Sequence, residues 1–260
     1  MISLDDEEHW ATWKRFTEQF CHTVQQLDPR TRPTLAVLVY SGNDLEMPSA
    51  DVSLGVAYWK GIITEADVLT LAEFSLPGAN ISSVVRAVVV HSIANIALWD
   101  ADLASRLGVA KLDEILRPLD LLRKYAIERG WTANTPASEA EGTTSYVNSE
   151  LRVHSALLAI KGQVARLDQR LWRAQAAVLL PWVEERRLDF IDVVKPFLGA
   201  TFKGPLSEVE IGQLTPALMA TDAPNSLKRR ANELRNIRNA IAHRHTLALR
   251  ELKLIGDCAT

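Results

Sequence analysis

From Ser149 to Ile255 the chain reads as four helical patterns in succession, Ser149 to Leu180, Trp182 to Leu198, Ser207 to Ala220 and Asn225 to Ile255. Only Pro181, the loop Gly199 to Pro205 and the stretch Asp222 to Pro224 separate them. Consecutive amphipathic helices joined by connections this short have few ways to bury their apolar faces, and an antiparallel bundle is the simplest. A mainly α fold with a C-terminal four-helix bundle is therefore expected.

The preceding residues are helical in bias as well. Asp5 to Leu27 places Trp10, Trp13, Phe16, Phe20 and Val24 at helical spacing and stops before Asp28-Pro29. Leu35 to Tyr40 and Val52 to Trp59 are too short for periodicity to separate strand from helix. Thr64, with Glu65 and Asp67 behind it, caps a helix running to about Phe74 and stopped by Pro77-Gly78. Ser82 to Leu107 reads as one long helix closed by Gly108, and Asp113 to Arg129 as another closed by Gly130. Thr132 to Asn148 has almost no bulky apolar side chains and is rich in Thr, Ser, Ala, Gly and Glu, the composition of a linker. The division expected is a mostly helical N-terminal domain over 1–131, a linker over 132–148 and a helical bundle over 149–260.

Charge limits the partners. A net charge of −3 excludes a chain that coats nucleic acid through a global field, so any contact with RNA must come from a local patch. Lys228, Arg229, Arg230, Arg235, Arg238 and Arg244 crowd around one C-terminal segment, and the forked guanidinium suits phosphate oxygens better than a Lys point charge. Cys21 and Cys258 stand at opposite ends and make no metal-ligand spacing. There is no glycine-rich phosphate loop of either common type, and neither a metal nor a cofactor is expected. The acidic N-terminus, MISLDDEEHW, differs from an export signal, and the apolar tract Val84 to Trp99 is interrupted by Arg86, His91 and Asn95. A reduced, cytoplasmic location with no membrane partner is expected.

The same basic segment contains Arg238-Asn239-Ala240-Ile241-Ala242-His243. With 20 Arg and 6 His in the chain, chance supplies about 0.5 matches to any single Arg-to-His separation, so the spacing alone means little. It occurs a second time at Arg86 and His91, where apolar residues fill the interval and the reading is core. The C-terminal copy differs in its setting, on the last helix of the expected bundle. There the chain resembles the HEPN superfamily (higher eukaryotes and prokaryotes nucleotide-binding), over roughly Ser149 to Ile255, with only the last helix specific. The resemblance implies a helical bundle with Arg238 and His243 as catalytic pair and Asn239 as their polar companion. It also implies metal-independent RNA cleavage by a homodimer, in a toxin or antiviral-defence effector held by a regulator or antitoxin protein. The other reading within that family is a noncatalytic module that binds nucleotide, RNA or a partner protein.

The chemistry agrees with the residue types. Metal-free cleavage of RNA needs a base for the 2′-hydroxyl, an acid for the leaving 5′-oxygen, and fixed positive charge on the phosphate. Imidazole titrates in the range suited to proton transfer, and Arg stabilises developing negative charge. At about 100° per residue Leu227, Leu234, Ile237, Ile241 and Leu252 share the buried face of one continuous helix. Arg235, Asn239 and His243 then form a polar stripe opposite it, on which Asn239 can orient the His243 ring and Arg235 can contact substrate phosphate. Arg238 lies about 140° from His243, so the pair converges only if the helix is distorted there or a second subunit packs across this face, and the second subunit is expected. On the same continuous helix His245 falls near the core side, as a packed or capping residue. His154, Asp100 and Asp102 make no recognisable pattern and are read as structural.

Overall fold

The computed structural model describes residues 7–35, 37, 48–49, 53–55, 63–76, 81–139, 141–199, 202 and 204–257. Within them the protein is mainly helical, with one two-stranded antiparallel sheet. The open segments Leu35 to Tyr40 and Val52 to Trp59 lie largely outside the described residues. The chain divides into two compact units, one of residues 1–62 and 136–153 and the other of 63–135 and 154–260.

In the smaller unit, α1 (Glu7–Gln25) forms where the aromatic periodicity places it. Trp10 is buried, while Phe16 is exposed and meets the Trp13 ring edge-on at 5.3 Å. The unit's second piece carries a hairpin, β1 (Thr144–Val147) and β2 (Glu150–Val153), with Val147 opposite Glu150. Its turn, Asn148-Ser149, has positive φ at both residues (49° and 65°), the conformation that matches strand twist in a two-residue loop. The segment read as a linker thus contains ordered β structure. Its sequence carries no glycine at the turn, so the usual hairpin signal is missing.

The larger unit is organised around α3 (Ser83–Ala97). Val88, Val89, Ile93 and Ala97 on this helix are completely buried. A helix apolar on nearly every face must be enclosed, and α3 packs against α2 (Glu65–Ser75), α4 (Ala101–Gly108), α8 (Val164–Leu198) and α11 (Leu249–Asp257). α5 (Leu112–Leu116) also touches α3, and α6 (Leu119–Glu128) packs on α7 (Ser155–Ile160). Helices from both sides of residues 132–148 therefore share one core. This corrects the expected division into 1–131 and 149–260: the most apolar tract of the first half is the centre of the second.

Several helix limits also differ. Pro181 was expected to end a helix, yet α8 runs through Pro181 and Pro196 for 35 residues. An interior proline costs about 3 kcal/mol; burial of Leu179, Trp182, Val183, Phe190 and Val194, each worth roughly 1.5–3 kcal/mol, offsets it. The long helix expected over Ser82 to Leu107 breaks at Leu98 (φ 60°), and Asp100 restarts the chain as α4 by accepting the Leu103 N–H at 3.0 Å. Leu112 to Glu128 is likewise two helices, α5 and α6. α9 (Ile211–Met219) and α10 (Asn225–Ala242) complete the unit. Among the described residues no helix is long and apolar enough to cross a membrane.

Gly130 closes α6 with positive φ, and the Trp131 N–H reaches back to the Ala126 carbonyl at 2.9 Å. Gly108 has a different role from the cap expected of it. It is the last residue of α4, and a Cβ placed there would lie 2.4 Å from the Ser75 Cβ and 3.3 Å from the Ser75 carbonyl carbon. The contact is with backbone as well as side chain, so α2 and α4 must separate to admit a methyl group. Gly108→Ala is expected to lower unfolding stability by about 1–3 kcal/mol in a urea titration, despite alanine's better helix propensity.

Candidate functional site

α10 buries Ala231, Leu234, Ile237 and Ile241 on the face that the helix phase assigns to the core. It stops one residue before the motif histidine. His243 is the C-cap, and Arg244 takes a left-handed conformation (φ 60°). The Arg244 N–H bonds to the Ile241 carbonyl at 3.0 Å and the His245 N–H to the Ala240 carbonyl at 2.8 Å. These two bonds make a Schellman ending, in which the left-handed position usually holds glycine. An L-residue with a side chain costs roughly 1–2 kcal/mol there. The single helix expected over Asn225 to Ile255 is therefore two, because this turn intervenes before α11.

α8 holds the turn from both sides. The Trp172 Nε1–H donates to the Ile241 carbonyl at 2.7 Å, and the Arg244 guanidinium lies 5.7 Å from the centre of the same indole. Further on, the fully buried Gln175 amide donates to the Leu247 carbonyl at 3.0 Å and accepts the Leu247 N–H at 2.6 Å. The Glu251 carboxylate accepts the Ala248 N–H at 2.7 Å and starts α11. Residues 241–247 are thus fixed against a long helix rather than left as a loose end.

The structure brings some of the sequence-predicted residues together and separates others. His243 is exposed, and its ring makes no hydrogen bond to another described residue. Asn239 does not orient that ring. Its Oδ1 faces Arg238 Nη1 at 3.5 Å, so the expected Asn239–His243 side-chain bond is replaced by proximity to the arginine. Arg238 is half-exposed and pairs with Glu210 at 3.0 Å. Glu210 itself is placed by the buried Arg187, whose guanidinium donates to the Val209 and Ser207 carbonyls at 2.8 Å each and pairs with Glu184. Hydrogen bonding to Arg187 holds the Glu184 carboxyl below its ordinary value. Arg235 is half-buried and pairs with no other described residue. The rest of the basic cluster is engaged: Lys228 donates to the Thr221 carbonyl at 2.6 Å, Arg229 pairs with Glu233 at 3.7 Å and Arg230 lies over Phe190.

His245 was read as a core-side residue and is instead exposed, with its ring 6.4 Å from that of His243. The reason is the helix boundary: the turn at Arg244 breaks the helical phase that would set His245 on the core side. The second Arg-to-His spacing behaves differently from the first. Arg86 pairs with Glu73 at 2.5 Å, and His91 lies on the enclosed helix α3.

One cluster makes no pattern in the sequence. Asp100, Tyr125 and His154 meet from α4, α6 and the start of α7. The Tyr125 hydroxyl lies 2.6 Å from Asp100 Oδ2 and 3.0 Å from Asp102 Oδ2, with Arg129 donating to the Tyr125 oxygen. His154 is fully buried, enclosed by the rings of Trp99, Tyr125 and Trp131. Its Nδ1 accepts the Ala156 N–H at 3.1 Å, so the ring proton sits on Nε2 and donates to Asp100 at 3.1 Å. Burial keeps His154 neutral and below its ordinary pKa, against the pull of Asp100. Burial also pushes the Asp100 carboxyl up, but hydrogen bonds from His154, Tyr125 and the Leu103 N–H outweigh it and hold the group well below the usual carboxylate range. Burial and the bond to Asp100 drive the Tyr125 phenol far above its ordinary value. Every polar atom named here has a partner and the histidine has no solvent contact, which describes a structural knot rather than a reactive centre. Asp at a helix start was the only signal in the sequence; its partners lie 25 and 54 residues away.

No family model, curated protein or solved structure matches the chain.

Proposed function

We propose that the end of α10 is the working site of a metal-independent endoribonuclease of the HEPN type, acting in toxin or antiviral-defence chemistry on RNA. The observation that carries this reading is His243 itself: an exposed imidazole with no hydrogen-bonding side-chain partner among the described residues, on a turn pinned to α8 by Trp172 and Gln175. A histidine with a merely structural role would be expected to find a partner, as His154 does. Arg238 and Asn239 stand one turn back along α10, and Arg235 offers a further charge to a phosphate oxygen. The Glu210–Arg238 pair is exposed enough for exchange; such ion pairs are worth only about 0–1 kcal/mol, so an RNA phosphate can take the carboxylate's place. Homodimerisation through the α10 face, and control by a regulator or antitoxin protein, belong to the same proposal.

The test is incubation of the purified chain with end-labelled single-stranded RNA in excess chelator. Cleavage yielding 2′,3′-cyclic phosphate and 5′-hydroxyl ends is the expected result. Retention of RNA without cleavage supports the noncatalytic binding module, and neither binding nor cleavage overturns both.

A further inference from the structure

Metal-free transesterification needs two proton carriers, and the family motif supplies one histidine per chain. We propose that His245 is the second, so that His243 and His245 of one chain form the acid–base couple. This rests on the ribonuclease reading above and assigns a catalytic residue that the motif does not contain.

The geometry depends on Arg244. In a continuous helix, residues two apart are turned about 200° from one another around the axis, and two such histidines address opposite sides. Here the helix ends at Ala242, and the left-handed Arg244 reverses that divergence. The His243 and His245 rings lie 6.4 Å apart between centroids and are inclined by 41°. They are near each other without touching. A proton carrier must come within about 3 Å of the oxygen it serves, and the attacking 2′-oxygen and leaving 5′-oxygen lie on opposite sides of phosphorus. A gap between two exposed rings, adjustable by side-chain rotation, is what a phosphate between them requires. Both rings are exposed, and neither hydrogen-bonds to another described residue. The turn that presents them carries a backbone conformation unfavourable to arginine, and is clamped at Ile241 and Leu247 by α8. Backbone strain maintained by surrounding structure is a recurrent property of working sites.

The step balances without a co-reactant. The neutral imidazole takes the proton as the 2′-O–H bond breaks and the 2′-O–P bond forms. The P–O5′ bond breaks as the other ring, in its imidazolium form, gives its proton to the 5′-oxygen. The products are a 2′,3′-cyclic phosphate and a 5′-hydroxyl, and proton exchange with water restores the two rings. Arg244, which stands between the two histidines in the chain, supplies positive charge on the non-bridging oxygens. A second subunit is not needed to complete the acid–base pair.

The experiment compares His243→Ala and His245→Ala on ordinary RNA and on RNA with a sulfur in the bridging 5′ position, a leaving group that departs without protonation. Loss of either carrier is expected to slow ordinary RNA by about 10²–10⁴-fold, with unchanged thermal unfolding because both side chains are exposed. One variant, and only one, should regain most of its rate on the sulfur substrate, which identifies the acid. Mixing the two variants should restore nothing if the pair works within one chain. The proposal is overturned if His245→Ala stays within tenfold of wild type while His243→Ala does not, an outcome that leaves the ribonuclease reading standing. It is also overturned if mixing restores activity, or if both variants or neither recover on the sulfur substrate. Absence of cleavage by the wild-type chain removes both claims.

Discussion

Cleavage of RNA in chelator is expected to fall by about 10²–10⁴-fold when His243 is replaced by alanine, the range for losing a positioned proton carrier. Arg238→Ala is expected to cost about 10²–10³-fold, the range for removing one donor to a developing negative charge. The two should differ in kind. A lost proton carrier lowers kcat with little change in KM, whereas loss of the arginine removes phosphate binding as well as charge stabilisation and moves both. His243 is exposed and caps α10 through its backbone, so the alanine variant should unfold at the wild-type urea concentration. Single-turnover rates together with that unfolding midpoint provide the check. A His243→Ala protein that cleaves at the wild-type rate and leaves cyclic phosphate ends would remove this residue from the chemistry.

The largest effect on stability is expected outside that turn, at Asp100. Its carboxylate caps α4 and takes hydrogen bonds from Tyr125 and the buried His154. Asp100→Ala removes a helix cap, worth about 1 kcal/mol, and strands the His154 Nε2–H in an apolar enclosure, at about 1–3 kcal/mol. A loss of about 2–4 kcal/mol follows, seen as a lower urea midpoint with an unchanged slope. Asp102 is the internal comparison. It touches the same phenol but is half exposed, and its alanine variant should lose less than about 1 kcal/mol. Equal losses at the two positions would contradict the assignment of His154 to Asp100.

The same knot gives the protein a sign for its pH dependence. Both pKa values are lowered by folding, so in acid the unfolded chain binds protons that the folded chain does not. The His154 contribution begins to be lost as pH falls through its ordinary value of 6.5, and that of Asp100 as pH falls through 3.8. Both act in the same direction, towards unfolding in acid.

Helical class was legible because it depends on local periodicity. The aromatic spacing of α1, the Thr64 cap and the buried stripe Leu234, Ile237 and Ile241 are decided within one or two turns of chain. The exposed side of α10 was legible for the same reason. Helix ends were less so. Pro181 carries a strong local stop signal, and only burial along α8 overrules it. Arg244 carries no stop signal at all, and the turn there is secured by Trp172 and Gln175, some 70 residues earlier. Helical phase does not survive that turn, which is why His245 is exposed and not on the core side.

Local physics therefore determined, from sequence alone, that this chain is mainly helical and that His243 points away from a core. Tertiary structure decided what lies beside it. The rings of His243 and His245 come together because α8 stabilises a left-handed arginine, and the two halves of the chain join because α3 is apolar on nearly every face and must be enclosed. Both outcomes rest on burial between residues distant in sequence, a free energy that no short window of residues contains.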